Sequence, residues 1–207
     1  FVAGDGLQRL TPGAPEDKSG KLNTATGSGA LYNTTEGATN TASGAYALHS
    51  NTTGNVNTAS GVAALYKNTA GSNNVADGAY ALYENTEGER NTAIGTQSLQ
   101  ENTSGIYNVA VGADALASNT TGSNNVAVGN GALLRTSADS NTAVGFTALL
   151  YNEQGAGNTA IGYAAGVKEG DEYKNLENAT AIGYLSQVDA SNKVRIGNTN
   201  VTVIEGQ

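Results

Sequence analysis

The chain repeats one phrase at a fixed interval, and that interval leaves it few ways to fold. Aligned on glycine, the phrase passes through Gly27, Gly44, Gly61, Gly78, Gly95, Gly112 and Gly129 in steps of seventeen residues. Gly145, Gly162 and Gly183 follow at sixteen, seventeen and twenty-one. Self-similarity this strict marks a stacked architecture in which each unit buries its faces only against its neighbours. A unit of this length is too short for a strand, a full helix and a second strand. It suits one short strand, a second extended or single-turn segment, and two tight turns.

Each unit reads Asn-Thr/Val-Ala-x-Gly, then Ala-Leu, then Asn-Thr-x-Gly. Segments such as NTAIG and NVAVG alternate β-branched residues and close on glycine, which predicts a strand of about four or five residues. Period-two geometry puts Thr92 and Ile94 on one face and Asn91, Ala93 and Gly95 on the other. Turn chemistry assigns positive φ to Gly37, Gly54, Gly71, Gly88, Gly105, Gly122 and Gly155. The expected fold class is all-β: a parallel β-solenoid, or β-roll, of about nine 17-residue rungs. At about 4.8 Å per rung the rod is roughly 40 Å long.

Stacking places like on like. Asn40, Asn57, Asn74, Asn91, Asn108 and Asn125 form one column, expected to make side-chain amide ladders. Ala42, Ala59, Ala93 and Ala110 form a second, and Leu48, Leu65, Leu82, Leu99 and Leu116 an apolar stripe. These columns are structural, because a binding site seldom needs one side chain on every rung. Another column changes character midway, from Thr26, Ser43, Ser60 and Asp77 to Ile94, Val111, Val128, Val144, Ile161 and Ile182. Read as facing inward, it gives the early rungs a wetter interior, or an ion-holding layer in which Asp77 needs partners.

Composition limits what such a rod can do alone. With 28 Gly, 2 Phe and neither Trp nor Met, the interior must be made of small residues. A thin rod of this kind buries little area per chain, so a homotrimer around a common axis is expected. The net charge of −8 disfavours nucleic acid, whose phosphates demand Lys and Arg. No apolar run of about 18 residues exists to span a membrane. The start, FVAGDGLQRL, lacks the pattern of a secretory signal. Zero cysteines remove disulfides, thiol catalysis and thiolate metal sites.

At NTAIG, NVAVG, NTAVG and ATAIGYLSQVDASNKVRIG the chain resembles the head repeats of YadA-like trimeric autotransporter adhesins. NTAIGYAAG, with its Ala-Leu and Asn-Thr-Thr-Gly spacers, is also similar to bacterial and phage fibre proteins that precede an endosialidase-type intramolecular chaperone. KVRIGNTNVTVIEGQ resembles the segment leading into such a chaperone. The resemblance implies a trimeric, extracellular fibre on a bacterial cell surface or a virion tail, binding a cell-surface, matrix or glycan receptor without catalysis. It departs from the adhesin heads in its longer repeat, which leaves the handedness and shape of the coil open.

Little in the sequence points to chemistry. His49 stands alone in a column otherwise holding Tyr32, Tyr66 and Tyr83, and reads as a variant of that tyrosine position rather than a base. Neither GxxxxGK[ST] nor GxGxxG occurs. No cofactor, catalytic residue or metal site is assigned, and the chain is not expected to be an enzyme. Glu169, Asp171 and Glu172 gather in the large insertion KEGDEYKNLEN, where Lys168 and Lys174 can neutralise them; this loop is a candidate ligand contact. So are Tyr46, Tyr66, Tyr80 and Tyr83, whose rings suit either packing or contact with sugar or protein. An alternative function is ordering water on threonine rows. Thr24, Thr41, Thr58, Thr92, Thr142 and Thr159 form one, expected to face inward, and Thr52, Thr69, Thr86, Thr103 and Thr120 another.

Three segments are expected: an N-terminal cap or joint over 1–22, a β-roll head over 23–166, and an insertion loop, last rungs and transition to stalk or chaperone over 167–207. Within the last, VRIG and VTVI are expected to be strands that cross between chains.

Overall fold

The computed structural model describes residues 22–201, so the expected cap and the VTVI strand lie almost wholly outside the described residues. Thirteen short strands follow one another: β1 (Thr24–Thr26), β2 (Thr41–Ser43), β3 (Thr58–Ser60), β4 (Val75–Asp77), β5 (Thr92–Ile94), β6 (Val109–Val111), β7 (Val126–Val128), β8 (Thr142–Val144), β9 (Thr159–Ile161), β10 (Gly166–Val167), β11 (Thr180–Ile182), β12 (Gln187–Val188) and β13 (Val194–Ile196). Eleven form one parallel sheet in the order β1 to β9, then β11 and β13; β10 and β12 pair beside it. The chain is a parallel β-solenoid of about ten turns, with no helix among the described residues. Register follows the repeat, Ala59 lying on Ala76 and Ser60 on Asp77. The VRIG strand pairs parallel with β11, Val194 lying on Thr180.

The interior is narrow. Ala42, Ala59, Ala76, Ala93 and Ala110 point from the strands into it and meet the alanine-leucine pairs typified by Ala47–Leu48 and Ala64–Leu65, all essentially inaccessible to solvent. Alanine takes this inward position in every strand of the large sheet but the last, where Arg195 lies in register with Ala181. Two buried asparagines per turn complete the section, as with Asn57 and Asn68.

Those asparagines hold the turns together. Asn68 Nδ2 donates to Asn51 Oδ1 at 2.7 Å and to Gly71 O at 2.9 Å, and Asn57 Nδ2 donates to that same carbonyl at 2.8 Å. The ladder of side-chain amides thus runs through Asn51, Asn68, Asn85, Asn102 and Asn119. It does not run mainly through the column expected to carry it. There, Asn40 Oδ1 accepts the backbone N–H of Asn57, and the same link recurs up the stack. The ladder ends at Asn119 Oδ1, which has no partner because Thr136 stands where the next amide belongs.

The other segment of each turn is neither extended nor helical. Tyr46, Leu48 and Val56 all have φ between 51° and 60°, and the pattern repeats in every full turn. Alternation of left- and right-handed residues aims every second N–H along the rod. Tyr46 donates back to Ser28 O at 2.8 Å, and Leu48 donates forward to Ala64 O at 3.0 Å. A left-handed residue costs about 1–2 kcal/mol and a buried leucine contributes about 1.5–3 kcal/mol. With one leucine and three such residues per turn, hydrogen bonds between turns must supply the net stability.

The glycines therefore have roles different from the one expected. Gly54 and its equivalents are not at positive φ; a Cβ on Gly54 would meet Asn51 Oδ1 and Gly71 O, each at 2.4 Å. They are required by close approach. Gly95, at φ 127°, meets both constraints, since a Cβ there would lie 2.6 Å from the Gly112 carbonyl; its equivalents have φ between 114° and 146°.

Gly95→Ala should destabilise the rod by at least about 2 kcal/mol, from backbone strain and the clash together. Gly157→Asn should cost under about 1 kcal/mol. Its φ of 69° is close to the 61° and 60° of Asn73 and Asn124 in the same column, and nothing lies nearer than 3.9 Å to the added Cβ. Denaturant unfolding of both variants checks the contrast.

Candidate functional site

With the interior fixed, variation is confined to the outside. The residues flanking each strand alanine point outward, so the threonine-valine row and the column from Thr26 to Ile182 face solvent, contrary to the expectation that they face inward. The reason is space, because the narrow interior between strand and leucine is filled by alanine from β2 to β9 and in β11. Asp77 is consequently exposed and needs no buried partner.

The outer face of the sheet changes polarity along the rod. Thr24, Thr26, Thr41, Ser43, Thr58 and Ser60 make β1 to β3 a hydroxyl surface. From β5 onward the second outward column is aliphatic, with Ile94, Val128, Val144 and Ile161 37–43% exposed, while the first mixes Thr92, Thr142, Thr159 and Thr180 with Val109, Val126 and Val194. By contrast, Thr52, Thr69, Thr86 and Thr103 each donate a hydroxyl to the carbonyl of the threonine one turn on, so that row is engaged in the turns.

Aromatic rings form a second outward feature. Tyr32, His49, Tyr66 and Tyr83 stack face to face, with centroids 5.3, 5.0 and 5.2 Å apart and planes within 11°. Tyr46 and Tyr80 lean against this ladder at 58° to His49 and 55° to Tyr83. The structure thus brings together all four tyrosines singled out from the sequence. A Cβ on Gly29 would meet the Tyr46 ring at 2.7 Å, so a small residue on the preceding turn makes room for that ring.

Sequence reasoning missed a further ladder, Phe146, Tyr163 and Tyr184, with centroids 5.3 Å apart. These rings occupy the position after the repeat glycine, a signal available in GF, GY and GY but broken up by the twenty-one-residue step. They follow Val144, Ile161 and Ile182 by two residues and are themselves exposed.

The acidic insertion is not assembled with the tyrosines. Glu169, Asp171 and Glu172 are exposed, and no group of three or more potential ligands among the described residues could hold a metal ion. Lys174 lies 3.2 Å from Glu153 and 3.5 Å from Asp171; hydrogen bonding to Glu153 first, then its charge, holds the lysine above its usual range. A shallow cleft of about 360 Å³ near the last turns is lined by Lys168, Gln187, Asp189, Arg195 and Asn200 among others. Arg195 Nε is occupied by Gly197 O at 3.1 Å, and Asp189 pairs with Lys193.

His49 belongs to the ladder. Burial pushes its imidazole below the ordinary value of 6.5, and Nδ1 has no partner. The fold prefers the neutral ring, so this contribution to stability is complete above pH 6.5 and is lost as pH falls through the lowered folded value. His49→Tyr should therefore lose less stability on acidification than the parent, as measured by thermal melting across that range.

No protein-family model, curated protein or solved structure matches this chain.

Proposed function

We propose that the chain is a non-enzymatic segment of an extracellular homotrimeric fibre that mediates attachment to a protein or glycan receptor. Its place is a bacterial cell surface or a virion tail fibre. The observation carrying this reading is the outer face of the sheet. From β5 to β13 one of its two columns, through Ile94, Val128, Val144, Ile161 and Ile196, is an aliphatic strip that a single chain leaves uncovered, with Phe146, Tyr163 and Tyr184 exposed two residues beyond it. An apolar strip of that length on a thin rod is stabilised by meeting its own copies, and threefold packing places it on the axis. Such packing leaves the tyrosine ladder, the insertion loop and the turn tips for contact with a receptor. A phage-type shaft with a mainly structural role would use the same assembly.

Light scattering of the purified chain should give three times the monomer mass. Ile161→Asp should weaken association, because three carboxylates would be buried at the interface. Thr58→Asp, in the hydroxyl half, should perturb association far less. A monomeric parent at micromolar concentration overturns the assembly.

A second reading has its own observation. The paired hydroxyls Thr24 and Thr26, Thr41 and Ser43, and Thr58 and Ser60 are outward on a regular lattice, as a water-ordering surface requires. Thermal hysteresis abolished by Thr41→Leu would support it; absence of hysteresis in the parent removes it.

A further inference from the structure

The N-terminal tyrosine cluster has a periodicity of its own within that of the fold. In the column containing Tyr46, residues alternate small and large: Gly29, Tyr46, Ala63, Tyr80. Tyr46 and Tyr80 are therefore two turns apart, roughly 10 Å along the rod. Both residues are nearly half exposed, at 47% and 43%. They tilt by more than 50° from the stacked ladder and so stand outside it, leaving ring surface that the ladder does not cover, whereas the ladder rings cover one another's faces and offer their edges. Those edges recur every 5.0–5.2 Å from His49 to Tyr83. The charges beside the ladder, Lys67 and Glu84, bind each other at 2.7 Å, so the surface presents no unpaired charge from that pair.

We infer that this surface binds an extended, neutral chain of β-1,4-linked pyranoses running parallel to the rod, with Tyr46 and Tyr80 stacked on alternate sugars. The inference rests on the attachment reading and narrows its ligand to one chemical class. Successive sugars in such a chain are turned over relative to each other, so the same face recurs at every second residue. One sugar advances the chain by close to one turn of this solenoid. The ladder edges, Tyr66 and Tyr83 among them, supply hydroxyls at the same interval for hydrogen bonds to the sugar rim. An α-linked glucan curls and cannot keep step with the rungs. An aromatic stack of this kind requires no charge on the ligand.

Titration calorimetry of the intact oligomer with soluble cello- and chito-oligosaccharides tests the match, with malto-oligosaccharides of equal length as the α-linked comparison. Affinity should rise with length up to the span of the cluster and be absent for monosaccharides. Tyr46→Ala and Tyr80→Ala should each weaken binding about tenfold. Tyr66→Phe, which keeps the ring, should weaken it about fivefold. Tyr163→Ala, in the other ladder, should leave it unchanged. Circular dichroism and melting confirm that each variant is folded. Equal binding of α-linked oligomers, or binding that survives the Tyr46→Ala, Tyr80→Ala double change, overturns the inference. So does failure of every β-linked oligomer to bind. In that last case, adhesion of the fibre to cells or matrix proteins would leave the attachment reading standing, and adhesion lost on Tyr46→Ala would assign the cluster to a protein partner. Adhesion to nothing would remove both.

Discussion

The grip of two buried amides on each turn carbonyl is the interaction on which the structure depends. Gly71 O accepts from Asn57 Nδ2 and Asn68 Nδ2, tying the strand and the turn of one rung to a single atom, while Asn51 Oδ1 and Asn40 Oδ1 accept from Asn68 Nδ2 and the Asn57 N–H across to the preceding rung. Buried asparagine is costly unless its polar atoms are paired. Here each rung supplies partners to its neighbours, so the same residue that would destabilise an isolated turn stabilises a stack. This explains how a chain with one interior leucine per turn stays ordered through its length.

A consequence is that register is fixed, and a fixed register turns the exterior into a lattice. Every outward position recurs at about the spacing of β-strands, whatever occupies it. The interior alanines hardly vary, while the outer columns run from hydroxyl to aliphatic and from tyrosine to glutamine. Function can be written on such a surface by filling columns without disturbing the core. The polarity change along the sheet and the two aromatic ladders are separate inscriptions of this kind. The aliphatic half suits contact with copies of the chain, and the N-terminal ladder, on a different column, stays available.

Much of the architecture was legible because stacking converts sequence period directly into spatial columns. Spacing alone placed Ala59 on Ala76 and Leu48 on Leu65, and period two put Thr92 and Ile94 together opposite Ala93. It also brought Tyr66 and Tyr83 into one column. The positive φ angles were misplaced from glycine to glycine because turn chemistry weighs only the local cost. In the folded rod Leu48 accepts a left-handed backbone so that its N–H reaches the next turn, while Gly54 is glycine for lack of room. The amide ladder lay in the neighbouring asparagine column for a similar reason: which amide meets its own copy depends on side-chain direction across rungs, which spacing does not encode.

The sequence by itself determined that this is a parallel stack of short turns, which residues share a column, and that chemistry has few groups to use. Repetition suffices for that, since equal steps along the chain become equal positions in space. Only the tertiary structure decided which face of each strand is inside. Alternation divides Ala from Thr and Ile, but the width left between strand and leucine selects alanine for the interior. That width turned the valines and isoleucines outward, and with them a polar-to-aliphatic gradient read as a feature of the core became the surface on which this rod meets its surroundings.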